Sequence, residues 1–194
     1  MIDLRMGAIG LQTGNSEPVQ AQLVRMQQQH VDDFEDVWRG ILQTLGQDDG
    51  FWSWAWKKRL SVLDDRFEAY AVEYEGLTQG LLWIETQWHY SWRNLAHRIV
   101  YIEALASAPW NRRSLDDPPY LRGVGAALLL YARRRSYTLG YEGRVGLHAL
   151  PEAEAFYQRQ NMPDYGRDPE KENLRYFEYG RLTQPLSDWG MDDE

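Results

Sequence analysis

The stretch LRGVGAA, Leu121 to Ala127, sets a glycine-rich turn directly before a long helical pattern. Upstream stands Arg98–Ala106 (RIVYIEALA), rich in Ile, Val and Tyr, which predicts a strand. Downstream, the pattern from Tyr120 to Tyr137 carries Leu128, Leu129 and Leu130. It closes on Arg133, Arg134 and Arg135, where cations suit the C-terminal end of a helix dipole. Glycine lets a ligand approach the backbone, and the first amides of a helix have no partner of their own. Gly123–Ala127 can therefore cradle a phosphate, with Arg122 as a charged clamp. The turn is neither a GxxxxGK[ST] loop nor a complete dinucleotide fingerprint, because the Lys-Ser/Thr and the third glycine are missing. The same glycines would also serve tight helix packing.

Working outward, residues 1–18 lack periodicity and read as a flexible leader. Val19–Met26 alternates as a half-buried strand. His30–Leu45 carries Val31, Phe34, Val37, Trp38, Ile41, Leu42 and Leu45 as one helical stripe, and a second helix is expected from near Trp52 to Leu63. Phe67–Tyr74 and Leu77–Trp88 around Glu75-Gly76 predict a hairpin. A polar, proline-rich loop follows the third strand, from Pro109 to Pro119. Beyond the long helix come a strand at Arg144–Leu150, a helix from Pro151 to Gln160 and a last strand at Leu174–Tyr179. Residues 181–194 read as an acidic C-terminal tail. This order predicts one mixed α/β sheet with helices on its faces.

The order R-x-x-G-x-A, formed by Arg122, Gly125 and Ala127, resembles the [QR]-x-x-G-x-[GA] segment of the GNAT acetyltransferases. Ala153–Met162 (AEAFYQRQNM) resembles the family's A-x-x-FY-x-x-x-GF segment, and a predicted strand lies between the two. The resemblance covers roughly residues 19–180, the expected acyltransferase domain. It implies a single mixed, mostly antiparallel sheet with a central splayed parallel strand pair, flanked by helices. It also implies acetyl-CoA as cosubstrate and transfer of its acetyl group to a primary amine by direct attack in a ternary complex. The pantetheine arm would pair with the end of the central strand, Leu105, Ala106 and Ser107. The pyrophosphate would lie on Arg122, Gly123, Val124, Gly125, Ala126 and Ala127. Tyr157 matches the tyrosine that often protonates the departing thiolate, a role suited to a phenol that stays protonated at neutral pH.

An amine must lose a proton before it attacks a thioester, and some family members use a carboxylate on the central strand for this. Glu103, within an otherwise apolar strand, is the first candidate, acting directly or through water; Glu85 in LLWIET is the second. Three positions depart from the family pattern. Leu150 stands where an asparagine contacting CoA is frequent, Asn161 replaces the glycine of GF, and Arg112–Tyr120 reads as an insertion. Asparagine tolerates a left-handed turn better than most residues.

Composition narrows the alternatives. The chain has 194 residues, no cysteine and a net charge of −8. That removes disulfides and thiolate chemistry and argues against a general nucleic-acid partner. His30, His89, His97 and His148 show no tight ligand spacing, so no metal is expected. The longest strongly apolar run, Gly125–Ala132, is too short for a membrane span, and no secretory signal is evident; a cytoplasmic protein is expected. Nine tryptophans, several of them at 52, 54, 56 and 88, suit an aromatic-lined pocket for an apolar or cationic amine, whether a small molecule or a protein amine. The resembled family often pairs last strands between protomers, which leaves a homodimer open. The alternative reading is a non-catalytic CoA-binding or protein-interaction module on the same fold.

Overall fold

The computed structural model describes residues 5–182. Nine strands run β1 (Arg5–Thr13), β2 (Pro18–Arg25), β3 (Phe67–Tyr74), β4 (Leu77–Glu85), β5 (Val100–Ser107), β6 (Leu121–Arg122), β7 (Val145–Ala149), β8 (Asp164–Asp168) and β9 (Leu174–Tyr179). They form one sheet in the order β6-β1-β2-β3-β4-β5-β7-β9-β8. Strands β5 and β7 are parallel, through Val100↔Val145 and Tyr101↔Gly146. The pairs β1/β2, β1/β6, β2/β3, β7/β9 and β8/β9 are antiparallel. The helices are α1 (Gln28–Asp32), α2 (Arg39–Thr44), α3 (Trp54–Leu63), α4 (Val124–Thr138) and α5 (Glu154–Arg159). The mixed, mostly antiparallel sheet with one parallel pair and flanking helices is the architecture expected from the element order.

The chain divides into two compact units, Met1–Ile84 with Ala104–Leu129, and Glu85–Glu103 with Leu130–Glu194. In the first, Phe34, Trp38, Leu42 and Trp54 are fully buried and pack with Leu81, Ala104, Ala106 and Ala108. Alanines at alternate positions of β5 leave room for the indoles, and the Trp38 and Trp110 rings meet edge-on at 6.0 Å. Gly80 on β4 seats α4: a Cβ there would stand 2.5 Å from Val124 and 3.0 Å from Leu128. In the second unit, Ile99, Tyr101 and Tyr176 form a buried cluster.

Several elements differ from the sequence expectations. The segment expected as a flexible leader contains β1, whose Ile9 and Leu11 are buried. Glycines at 7 and 10 interrupt its alternation, and its backbone is satisfied by pairing with β2 and β6. The first helical stripe carries a π-helical stretch, Asp33–Trp38, between α1 and α2. Its wider turns put the buried face on a spacing of four through Phe34, Trp38 and Leu42, and leave Val37, Ile41 and Leu45 exposed. The long helix begins at Val124, not Tyr120, because Leu121 and Arg122 pair with Thr13 and Gln12 of β1. The polar strand β8 carried no alternation that would have announced it. Of the expected acidic tail, Arg181 and Leu182 are described, the latter donating its amide to the Glu142 carbonyl at 2.8 Å; residues 183–194 lie outside the described region.

Candidate functional site

The glycine-rich turn belongs to the first unit. Gly123 has φ 95°, a left-handed conformation that suits glycine, and it turns the chain from β6 into α4. The Ala127 amide makes the first return bond, to the Gly123 carbonyl at 2.8 Å. The amides before it open the helix and have no intrahelical acceptor. Arg122 is half-buried; one terminal nitrogen donates to Ser16 Oγ at 3.0 Å, while its Nε is buried without a partner. Amides that open a helix without an intrahelical acceptor, behind a glycine turn, suit an anionic group, and Arg122 adds a cation to the same short stretch.

The end of β5 stands in the same unit, with Ala106 buried and Leu105 and Ser107 half-buried. Ser107 is not an open edge, because its carbonyl accepts Arg112 Nε at 3.0 Å. The Arg112 guanidinium also grips the Asp49 carboxylate, at 3.0 and 2.5 Å. The short segment between β5 and the expected insertion is tied down nearby. Trp110 and Asn111 both donate to Gln79 Oε1 of β4, at 3.0 and 2.9 Å, and Asn111 Oδ1 accepts the Leu121 amide at 2.8 Å. Trp110 and Asn111, just ahead of the expected insertion Arg112–Tyr120, therefore anchor the start of the glycine-rich turn to the sheet.

The expected acid and bases stand in the second unit. Tyr157 on α5 is buried against Phe156 and Phe177, with ring centroids at 5.0 and 5.7 Å. Burial pushes its phenol above the usual tyrosine range, so it carries its proton at neutral pH. Asn161, at the family's glycine position, has φ 54° and keeps the left-handed turn. Glu103 is exposed on β5, so no burial cost marks it out. Glu85 is buried, and its carboxylate accepts the amides of Gln87 (2.6 Å) and Trp88 (2.9 Å) and His89 Nδ1 (2.8 Å). Burial pushes that carboxyl up, but the bonds from His89, Gln87 and Trp88 outweigh it and hold the group below the usual glutamate range. Glu85 is thus committed to fastening the loop after β4.

One constellation was not anticipated. Tyr101 Oη lies 2.6 Å from His148 Nδ1, and His148 Nε2 lies 3.0 Å from Asp168 Oδ2. His89 stacks on Tyr101 at 3.9 Å, and Trp92 stacks on Tyr176 at 4.2 Å beside His148. The available signal was a lone histidine inside an apolar strand, VGLHA, but its partners lie on β5 and β8.

No protein-family model matches the chain, and no curated protein matches it significantly. Solved structures do. The chain is similar to aminoglycoside 6'-acetyltransferase type Ii at 13% identity and TM-score 0.56, covering 84% of this chain and 99% of that one. It is similar to the PaiA N-acetyltransferase of Thermoplasma acidophilum in complex with coenzyme A, at 11% identity and TM-score 0.57, covering 84% and 100%. A third, AAC(6')-Iy in complex with a bisubstrate analogue, CoA-S-monomethyl-acetylneamine, matches at 17% identity and TM-score 0.55, covering 76% and 94%. At such identities the likeness is one of fold. The chain has the fold of the GNAT N-acetyltransferases.

Proposed function

We propose that this protein is an N-acyltransferase that moves an acetyl group from acetyl-CoA to a primary amine. The observation that carries the reading is the turn at Gly123, whose left-handed backbone opens α4 on amides without intrahelical acceptors, in a chain with the fold of the N-acetyltransferases. Acetyl-CoA, when bound, supplies a thioester activated towards amines. The chain holds the pyrophosphate on the amides from Gly123 to Ala126 and on Arg122, the Ala127 amide being taken by the Gly123 carbonyl, and orients the pantetheine arm along Leu105, Ala106 and Ser107. Glu103, exposed and anionic, draws in a cationic amine and accepts its proton directly or through a water. Tyr157, kept protonated by burial, donates to the departing sulfur. Positioning supplies much of the acceleration, since the cosubstrate is held along backbone. The structural neighbours include aminoglycoside and other N-acetyltransferases, which supports a small amine as acceptor.

A second reading, a CoA-binding or interaction module without turnover, draws on Arg112, which takes the Ser107 carbonyl, and on Leu150. Calorimetric titration with acetyl-CoA, in parallel with Gly125→Trp, tests the reading. Binding by the parent alone, followed by amine-dependent release of CoA, is expected. Binding without release favours a CoA-binding module, and a folded protein that takes up no acetyl-CoA refutes the transferase and leaves the interaction module.

A further inference from the structure

We infer that Tyr101, His148 and Asp168 form a proton relay that takes up a proton released by the acceptor amine during transfer. The inference rests on the transferase reading and adds to it a second proton acceptor beside Glu103.

The hydrogen positions follow from chemistry. The Asp168 carboxylate can only accept, so His148 Nε2 carries a proton at their 3.0 Å contact. In a neutral imidazole Nδ1 is then the acceptor, and the Tyr101 phenol donates to it at 2.6 Å. The three groups come from β5, β7 and β8, with the His148 side chain 7% and that of Asp168 13% exposed. Geometry is locked by the His89 ring stacked on Tyr101 and by Tyr176 against His148 at 5.0 Å. Tyr101 and Glu103 are two residues apart on β5 and so point to one strand face, where Glu103 is exposed.

An ammonium acceptor needs two outlets, because it loses one proton before attack and another as the amide forms. Glu103 takes the first. As the C–N bond forms, the amine proton passes to Tyr101 Oη, the phenol proton passes to His148 Nδ1, and the resulting imidazolium is held by Asp168. Free phenolate, which burial disfavours at Tyr101, never accumulates. The relay needs neutral His148. Burial lowers its affinity for protons, Lys171 and His89 add to this, and Asp168 opposes it; the net result lies below the ordinary histidine range. Tyr101 also faces Glu103, Asp168 and Tyr157, and Tyr176 faces Glu178.

The test uses the full chain with acetyl-CoA and three probe amines, neamine, spermidine and phenylethylamine, reading free CoA across pH. Nitrogen-15 NMR of His148 runs alongside. The expected result is a rate falling with acid through the same midpoint as the His148 titration, with Nε2–H as the neutral tautomer. Tyr101→Phe should lower kcat about a hundredfold, abolish that acid limb and leave the KM for acetyl-CoA unchanged. Asp168→Asn should shift both midpoints to lower pH. Turnover with an unaltered profile in Tyr101→Phe and His148→Gln overturns the relay and leaves the transferase reading standing, as does an Nδ1–H tautomer. Failure to bind acetyl-CoA removes the transferase reading itself. Binding without turnover of any of the three amines removes the relay's task.

Discussion

Replacing Glu85 by Gln separates a structural carboxylate from a catalytic one. In the wild type Oε1 accepts the Gln87 and Trp88 amides, while Oε2 faces the Trp88 amide at 3.0 Å and His89 Nδ1 at 2.8 Å. A glutamine oxygen in the Oε1 position keeps both backbone donors. Its NH2 group then meets His89 Nδ1, which becomes an acceptor by changing tautomer. The bonds survive but lose their charge assistance, a cost of about 1–2 kcal/mol at this 2% exposed site. Glu85→Ala removes the acceptors and strands two backbone amides, at about 3–4 kcal/mol. Urea unfolding at pH 7.5 measures both. The sign with pH is determinate. The folded carboxyl sits below its unfolded value, so its contribution is complete above the ordinary glutamate range and fades as pH falls through the lowered folded value. The gap between wild type and Glu85→Gln must therefore narrow on acidification. A Gln variant as stable as wild type at pH 7.5, or a gap independent of pH, would falsify the anchoring argument. A stable variant with collapsed turnover would return Glu85 to the role of base.

Trp38→Ala should destabilise the protein by about 3–5 kcal/mol in the same urea assay, because the indole is fully buried among Phe34, Trp110 and the β5 alanines. Arg122→Gln should weaken acetyl-CoA binding about tenfold by calorimetry, with an unchanged unfolding midpoint, if the guanidinium clamps a phosphate as an ionised donor does. An unaltered affinity would assign Arg122 to packing β6 on β1. Tyr157→Phe should lower kcat about a hundredfold at constant acetyl-CoA KM. In the wild type, activity should persist through the ordinary tyrosine range as pH rises, since burial holds the phenol protonated there. Loss of activity at an ordinary tyrosine pH would place the acid elsewhere.

Local patterns were legible where the chemistry is local. The hairpin around Glu75-Gly76, the helix behind LRGVGAA and the apolar run of β5 follow from periodicity and from what glycine permits. So does the left-handed Asn161, a residue type that tolerates its φ of 54°. Glu103 shows the limit. A carboxylate in an apolar strand looks costly in one dimension, yet strand alternation turns it to an exposed face.

What only the tertiary structure decided is which distant groups meet. β1 exists because β2 and β6 supply the hydrogen bonds that its glycine-broken alternation could not announce. Arg112 reads as a loop cation until Asp49 and the Ser107 carbonyl are seen beside it. Tyr101 and His148 are 47 residues apart, and Asp168 lies another 20 beyond. Periodicity reports the environment of each residue, core or solvent. The pairing of strands decides its partners, and hydrogen bonds between side chains depend on partners.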